Sequence, residues 1–250
     1  MTVKVAIGGA TGRMGSTLIE LAQIDKEVEL CAITDTKDNL HDKQLQKLGI
    51  PFTDDLTKHF DVFDVFIDFT RPEGTMKALD VCMQGGKSLV IGTTGFNSEE
   101  HTNIQKAGDK ISIVCSPNMS VGVNLLYVLI NETVCNLQKI NDIKVIDKHH
   151  KHKVDAPSGT ALKIEEVLRH SLKETSNKGT EITVDSIREG EDIGQHTIDF
   201  SAQDEKITLI HEASSRHAFA RGAILAAKWL ATKKTNNKGL FTMSDVLSDT

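Results

Sequence analysis

The sequence predicts an α/β fold in which a doubly wound parallel sheet is accompanied by a smaller α+β domain with a mixed sheet. Up to residue 115, short β-rich runs alternate with helical runs, which is typical of parallel βαβ units. Beyond residue 137, four strand-like runs are interrupted by one clear helix, which favours an antiparallel or mixed sheet.

The elements follow from local patterns. β-rich runs predict strands at Val3–Ile7, Val28–Ile33, Val62–Asp68, Ser88–Gly92 and Ile111–Cys115. Apolar residues at helical spacing predict helices at Gly12–Gln23, Pro72–Met83, Glu99–Ala107, Val121–Leu137, Gly159–His170 and Arg221–Ala231. The later strands are expected at Asp142–Asp147, Glu181–Ile187, His196–Ser201 and Lys206–His211. The last helix is expected to pack back on the first domain.

A glycine-rich loop follows the first predicted strand and opens the first predicted helix. Gly9, Gly12 and Gly15 have the spacing G-x-x-G-x-x-G. Such glycines allow a tight turn, close approach of the backbone to a pyrophosphate and close packing of the helix on the strand. The N–H groups at the helix N-terminus attract phosphates. The loop residues Thr11, Arg13 and Met14 are expected to contact the same nucleotide.

Asp35 ends the second predicted strand, 20 residues beyond Gly15. A carboxylate at this place hydrogen-bonds the adenosine ribose, so the segment predicts a Rossmann-type dinucleotide site. The alternative is a plain strand–helix turn. Because Asp35 repels the 2′-phosphate of NADPH, we expect NADH or NADPH to bind with NADH preferred, although Lys37 and Arg13 soften the repulsion.

The composition excludes several classes of protein. A net charge of −6 and 4% aromatic residues argue against a nucleic-acid binder. No apolar run approaches the roughly 20 residues that span a bilayer, and the N-terminus lacks the apolar stretch of a signal peptide. The four cysteines have no CxxC spacing and are expected to be reduced core thiols. We therefore expect a cytoplasmic protein without a membrane or nucleic-acid partner.

Residues 147–161 concentrate charged and polar groups at the end of a predicted strand. Three histidines and three lysines lie between positions 148 and 153. One interpretation is an anion site with a histidine proton donor, followed by a helix that Ser158 caps. A metal site and a solvated basic loop are the alternatives. No metal is expected, because the lysines repel a cation and no acid or cysteine supplies a clear fourth ligand.

At these residues the chain resembles the 4-hydroxy-tetrahydrodipicolinate reductase (dihydrodipicolinate reductase) family of the diaminopimelate route to lysine. The segment HHKHKVDAPSGTA at 149–161 carries the most specific match. The segments GATGRMG (9–15), DFTRPEGT (68–75), VIGTTGF (90–96), NMSVGVN (118–124) and ASSR (213–216) also match, in order. The resemblance covers essentially the whole chain.

The resemblance implies an enzyme with two domains and a homotetrameric assembly. It implies a dinucleotide-binding domain at 1–118 and 217–250, and a substrate-binding and tetramerisation domain at 119–216. The implied reaction is NAD(P)H-dependent reduction of 4-hydroxy-2,3,4,5-tetrahydrodipicolinate, a small dicarboxylate, by hydride transfer to ring C4. The remaining alternatives are another imine- or carbonyl-reducing dehydrogenase and a non-catalytic NAD-binding sensor.

The resemblance also implies roles for individual residues. His149 matches the general acid, and Lys153 matches the lysine that binds a substrate carboxylate and assists the proton. His150 matches a substrate-contacting histidine, and Gly159 and Thr160 match the pair that binds the other carboxylate. The implied cofactor-binding residues outside the glycine loop are Phe69, Thr70, Gly92, Thr94, Ser116 and Asn118.

This sequence departs from the family pattern in three places. The family commonly has Glu-Ala before the paired histidines, where this chain has Asp147 and Lys148. Thr36 stands after Asp35, where members that accept NADPH often have arginine. The segment between Arg188 and His196 is also shorter than in many members.

Overall fold

The computed structural model describes residues 2–232 and 238–249. The chain divides into two compact units, Met1–Ser120 with Phe219–Thr250 and Val121–Ala218. The predicted fold class is confirmed, because a seven-stranded parallel sheet with helices is accompanied by a separate four-stranded mixed sheet.

The bounds of the elements agree with most of the sequence predictions. The strands of the first part of the chain are β1 (Val3–Gly8), β2 (Val28–Thr34), β3 (Phe52–Thr53), β4 (Val65–Asp68), β5 (Ser88–Ile91) and β6 (Ser112–Cys115). The helices between them are α1 (Arg13–Ile24), α2 (Lys43–Gln46), α3 (Pro72–Gly85) and α4 (Ser98–Gly108), with a 3-10 turn at Lys37–Asn39.

The second part of the chain contains the mixed sheet and the C-terminal elements that belong to the first unit. Its elements are α5 (Val121–Asn136), β7 (Asp142–His149), α6 (Gly159–Lys173), β8 (Glu181–Arg188), β9 (Gln195–Ser201), β10 (Lys206–Glu212), α7 (His217–Thr232), β11 (Gly239–Phe241) and α8 (Met243–Ser248). The sequence analysis missed β3, β11, α2 and α8, because elements of two to six residues are too short to establish a period.

The parallel sheet has the strand order β11-β6-β5-β4-β1-β2-β3. The chain order reverses at β1, which pairs with β2 on one side and with β4 on the other. In open parallel sheets, ligands bind outside the carboxyl ends of the strands at such a switch point. The glycine loop follows β1 directly, so it lies at this point of the sheet.

Apolar clusters cover both faces of the parallel sheet, because successive side chains along a strand point to opposite faces. Val5 and Ile7 of β1 pack in one apolar cluster with residues of α1 and α7. Ala6, between them, packs in a second cluster with Leu79 of α3 and Ile104 of α4. Strands buried on both sides have nearly continuous apolar runs, which explains the sequence of β1.

The second unit has the strand order β10-β9-β7-β8, with β7 parallel to β8 and antiparallel to β9. Burial alternates along β7, so Ile143 and Val145 lie in the core with residues of α5 and α6. Asp147 and His149 continue the same alternation and are also buried. The period of two therefore directs a carboxylate and an imidazole to the apolar side of this sheet.

All four cysteines are free, but they are not all core thiols. Cys82 is buried, Cys31 and Cys115 are half-buried, and Cys135 is exposed on α5, so the expectation of core burial is wrong for Cys135. Among the described residues, no helix combines the length and the apolar character needed to cross a membrane.

Candidate active site

The glycine loop between β1 and α1 has the backbone that the sequence predicts for a phosphate-binding turn. Gly9 has a φ of +70°, which favours glycine. A Cβ added at Gly15 would collide with the carbonyl oxygen of Gly9, so the third glycine permits close packing. Helix α1 begins after Gly12 with no side-chain cap and no acidic residue in its first turn. Its N-terminus therefore suits a phosphate group.

Asp35 lies beside this loop and is bonded to it. One of its oxygens, Oδ2, accepts hydrogen bonds from Thr11 N at 2.7 Å and Thr11 Oγ1 at 2.8 Å. The other, Oδ1, accepts from Thr36 N at 2.7 Å and Asn39 Nδ2 at 2.8 Å. Partial burial alone would raise the pKa of the Asp35 carboxyl, but these hydrogen bonds outweigh burial and hold the pKa below its usual value. Asp35 is thus an ionised acceptor at the end of β2.

A second carboxylate, Asp68, organises the loops at the carboxyl ends of β4 and β5. It is 1% exposed and accepts hydrogen bonds from the hydroxyls of Thr70, Thr75 and Thr93. Burial raises the pKa of Asp68 despite these bonds. The backbone N–H of Gly92 also donates to the Asp68 carbonyl at 2.9 Å. Asp68 therefore fixes two of the predicted cofactor-binding residues, Thr70 through its side chain and Gly92 through its backbone carbonyl.

The other predicted cofactor residues lie on neighbouring loops of the same unit. A Cβ added at Gly92 would collide with the ring of Phe69, so these two residues are in close contact. Thr94 is exposed in the loop after β5. The buried Ser116 donates from its hydroxyl to the Asn118 carbonyl at 2.8 Å, which fixes the turn after β6.

In the second unit, Asp147 is the centre of a buried polar cluster. Its Oδ2 accepts from Ser158 N and Arg188 Nη2, both at 2.8 Å. Its Oδ1 accepts from Ser158 Oγ at 2.7 Å and lies 3.3 Å from His196 Nε2. Burial would raise the pKa of Asp147, but the contacts from the histidines, the guanidinium and the hydroxyl outweigh it and hold the pKa far below its usual value.

His149, the predicted general acid, adjoins this carboxylate. Its Nδ1 lies 3.0 Å from Asp147 Oδ1, within ion-pairing distance but without the alignment of a hydrogen bond. Its ring packs edge-on to His196, with centroids 5.3 Å apart. A Cβ added at Gly194 would lie 2.8 Å from His149 Nε2, so the backbone before β9 lines this nitrogen. Burial lowers the pKa of His196, partly offset by Asp147.

The segment between β8 and β9 supplies acids that pair with the lysines of the histidine segment. Lys148 Nζ lies 3.1 Å from Asp192 and 3.5 Å from Glu189, and Lys151 Nζ lies 3.5 Å from Glu191. The positive field that the sequence suggests is therefore largely compensated at these two lysines. Exposed pairs of this kind are worth about 0–1 kcal/mol each.

The predicted substrate-binding residues surround the start of α6. Lys153 Nζ pairs with Asp155 at 2.8 Å, and His150 is half-buried just after β7. Ser158 caps the helix as predicted, by accepting from Ala161 N at 3.2 Å. Gly159 and Thr160 form the first turn of the helix, which carries no acidic residue. This turn therefore offers a partial positive charge to an anion.

The cluster also bears on metal binding. Asp147, His149 and His196 place three potential ligand atoms within 4.8 Å of one another. The sequence analysis overlooked Asp147 and His196 as partners of His149 in such a set. However, the Arg188 guanidinium already occupies Oδ2 of this carboxylate, so a cation would compete with a fixed positive charge.

Several contact residues were not predicted as site residues from the sequence. They are Asn39, Asp68, Asp147, Arg188 and His196. The alternating pattern of β7 could have signalled Asp147, since that pattern puts Asp147 on the same face as His149. No local signal indicates His196 or Arg188, because both reach Asp147 only through strand pairing.

A parallel sheet with a dinucleotide loop at its switch point, accompanied by a separate unit with a histidine–carboxylate cluster, defines a nicotinamide-dependent oxidoreductase. The sequence profile of the N-terminal region of dihydrodipicolinate reductase matches residues 3–119, and that of the C-terminal region matches residues 122–247. The chain belongs to the dihydrodipicolinate reductase family, NAD(P)-dependent oxidoreductases of the diaminopimelate route to lysine.

Solved structures agree with this assignment. A dipicolinate-bound dihydrodipicolinate reductase from a Paenisporosarcina species is 25% identical, with a TM-score of 0.77 over 97% of this chain and 98% of that chain. Scyllo-inositol dehydrogenase from Lactobacillus casei, with NAD(H) and scyllo-inositol, is 13% identical, with a TM-score of 0.66 over 99% and 93%. GenD2 of gentamicin A biosynthesis, with NAD, is 11% identical, with a TM-score of 0.64 over 99% and 92%. The last two resemble this chain in fold alone.

Proposed function

We propose that this chain reduces 4-hydroxy-2,3,4,5-tetrahydrodipicolinate to tetrahydrodipicolinate with His149 as the proton donor. The observation that carries the proposal is the pairing of His149 with Asp147, 3.0 Å apart at the buried end of β7. Loss of the 4-hydroxyl as water leaves a conjugated imine, and its reduction at ring C4 must be completed by a proton. A histidine beside an ionised carboxylate suits this task, because the carboxylate stabilises the imidazolium.

The two substrate carboxylates require positive groups to bind them. Residues that can supply such groups follow His149 in the sequence. Lys153 offers an ammonium group. Its ion pair with Asp155 must either break or share the ammonium with the substrate carboxylate. The first turn of α6, with Gly159 and Thr160, offers backbone dipoles and a hydroxyl to the second carboxylate, and His150 adds a polar contact. The dipicolinate named with the Paenisporosarcina relative is itself a dicarboxylate, which supports this class of substrate.

The cofactor is proposed to be NADH in preference to NADPH. The glycine loop fits a pyrophosphate, because Gly9 adopts a positive φ, Gly15 leaves no room for a side chain, and α1 starts without a side-chain cap. Asp35 fits a ribose, because its carboxylate is ionised beside the loop. The nicotinamide, when bound, supplies the hydride. Gly92 and Thr94 are proposed to lie near the nicotinamide end of the cofactor, and Phe69 and Thr70 beside its pyrophosphate and ribose.

We further propose that residues 1–118 and 217–250 bind the dinucleotide, that residues 119–216 bind substrate, and that the cytoplasmic enzyme is a homotetramer. The outer face of the mixed sheet supports an assembly surface. Ile210 of β10 is 61% exposed and Ile187 of β8 is 37% exposed, and both point away from the apolar core. Sedimentation or light scattering of the purified chain measures the oligomeric state.

A coupled assay tests the activity. A synthase makes the substrate from pyruvate and aspartate semialdehyde, and oxidation of NADH is followed after addition of this chain. We expect substrate-dependent oxidation that fails when either precursor is omitted. Absence of turnover with both NADH and NADPH, in a chain that still binds NADH, would favour the alternative of a non-catalytic sensor.

A further inference from the structure

A row of polar side chains crosses the mixed sheet at one level. Strand register pairs Asp147 of β7 with Ser186 of β8 and with His196 of β9, and pairs His196 with His211 of β10. The flanking level on the same face holds apolar residues, such as Val145 beside Ile198. Asp147 is the only carboxylate in this row, and it is fully buried.

We propose that Asp147 is a positioning residue for the reaction. Its buried side chain holds both the proton donor His149 and the start of α6, which is proposed to bind a substrate carboxylate. The inference rests on the proposed role of His149. Asp147 Oδ1 lies 3.0 Å from His149 Nδ1 and accepts from Ser158 Oγ at 2.7 Å. Its Oδ2 accepts from Ser158 N at 2.8 Å. Ser158 in turn caps α6, so one side chain links the end of β7 to the first turn of the helix.

Arg188 fixes the carboxylate in this orientation. Its Nη2 donates to Asp147 Oδ2 at 2.8 Å and to the Asp155 carbonyl at 2.7 Å, and its Nη1 donates to the Asp147 carbonyl at 2.9 Å. With Oδ2 held by a guanidinium and a backbone N–H, Oδ1 is the oxygen that faces His149. These contacts fix the plane of the carboxylate, because donors hold Oδ2 on one side and Ser158 Oγ holds Oδ1 on the other.

Asp147 also sets the charge around the proton donor. Asp147 and His196 contact His149, Arg188 pairs with Asp147, and Lys153 acts electrostatically on His196. Among the described residues, Asp147 is the only acid within ion-pairing distance of His149. The carboxylate in contact with His149 is therefore that of Asp147.

Replacement of Asp147 by asparagine separates this role from simple packing. Ser158 N and Arg188 would require the amide oxygen, so the amide nitrogen would face His149. The ionic contact between the carboxylate and His149 Nδ1 would then be lost. Asp147→Asn keeps the volume of the side chain but removes the negative charge beside His149.

The experiment is a double-mutant cycle on the full chain with NADH and the coupled substrate. Asp147→Asn is measured alone and together with His149→Gln, and Asp185→Asn, an exposed acid paired with Lys144 on the same sheet, is the matched control. We expect Asp147→Asn to lower kcat about 10- to 100-fold, the scale found for partners that orient metal-binding histidines. In the His149→Gln background, the further loss of kcat should be within about 2-fold, whereas the rise in KM for substrate that comes from the lost link to α6 should remain.

The outcomes distinguish the two proposals. An equal loss from Asp147→Asn in both backgrounds, or none in either, would overturn the positioning role and leave His149 as the donor. A His149→Gln enzyme with wild-type kcat would overturn the proposed donor itself. Should Asp147→Asn not fold, Asp147→Glu replaces it, since it keeps the carboxylate. A kcat for Asp147→Glu within about 10-fold of wild type supports the role, and a larger loss contradicts it.

Discussion

Thr11 donates two hydrogen bonds to one oxygen of Asp35, from its backbone N–H at 2.7 Å and from its hydroxyl at 2.8 Å. Asn39 joins the pair, because its Nδ2 donates to Asp35 Oδ1 at 2.8 Å and to Thr11 Oγ1 at 3.0 Å. The acid that should receive the ribose is thus already oriented by the glycine loop. A ribose must replace some of these donors, and the Thr11 and Asn39 side chains are the ones that can rotate away.

The first prediction concerns the choice between cofactors. We expect kcat/KM to favour NADH by a factor between a few and roughly 10², which corresponds to about 1–3 kcal/mol. The reason is that the ionised Asp35, which we propose binds the ribose, would repel a 2′-phosphate, while a flexible Lys37 recovers only part of the cost. Asp35→Asn should narrow the gap mainly by improving NADPH. An unchanged gap in the variant would show that another residue receives the ribose.

The second prediction concerns the proton donor. His149→Gln should lower kcat by roughly 10²–10⁴, the usual scale of lost acid–base catalysis, and should change the KM for substrate much less. His152→Gln, in the same segment, is the matched control and should stay close to wild type. Steady-state kinetics of the two variants decide the assignment, which fails if both behave alike.

The third prediction concerns the substrate carboxylates. Lys153→Ala should raise KM and lower kcat together, since it removes a charge that the ground state and the transition state both use. Lys163→Ala removes an ammonium that pairs with Glu166 along α6 and should have little effect. Affinity for NADH, measured by calorimetric titration, should not change in either variant. A large loss of NADH affinity in Lys153→Ala would contradict its assignment to substrate.

The fourth prediction concerns the tight turn of the nucleotide loop. Gly15→Ala places a methyl group against the Gly9 carbonyl, so the loop or α1 must shift. We expect a loss of about 1–3 kcal/mol in the free energy of unfolding, as for overpacked sites, and weaker NADH binding. Ser16→Ala, the next residue of the same helix, is the control. Urea unfolding and NADH titration should separate the two variants.

The fifth prediction concerns acid stability. The pKa of Asp147 is lowered in the folded chain, so its carboxylate stabilises the fold above the unfolded-state pKa of about 3.9. That stabilisation should be lost progressively as the pH falls below about 4. The free energy of unfolding of the wild type should therefore fall more steeply with acid than that of Asp147→Asn. Parallel curves for the two proteins in urea titrations at several pH values would contradict this.

The sequence by itself determined the features that depend on neighbouring residues. The run β1, glycine loop and α1 is readable because its glycines and apolar residues have a fixed local spacing. The same holds for the change from alternating helices and strands to consecutive strands, which separates the two sheets. The segment from His149 to Thr160 identified the family, because its residue types occur together in a short stretch.

Only the tertiary structure decided which distant side chains meet. Asp147 and His196 are 49 positions apart and are brought together by antiparallel pairing of β7 with β9. Asp68 and Thr93 are joined across two strands, and Lys148 and Lys151 are compensated by acids beyond β8. The three residues of β11 extend the parallel sheet only because β6 offers an unpaired edge. Local patterns carry no record of register between separated strands, and register is what brings the carboxylate to the proton donor.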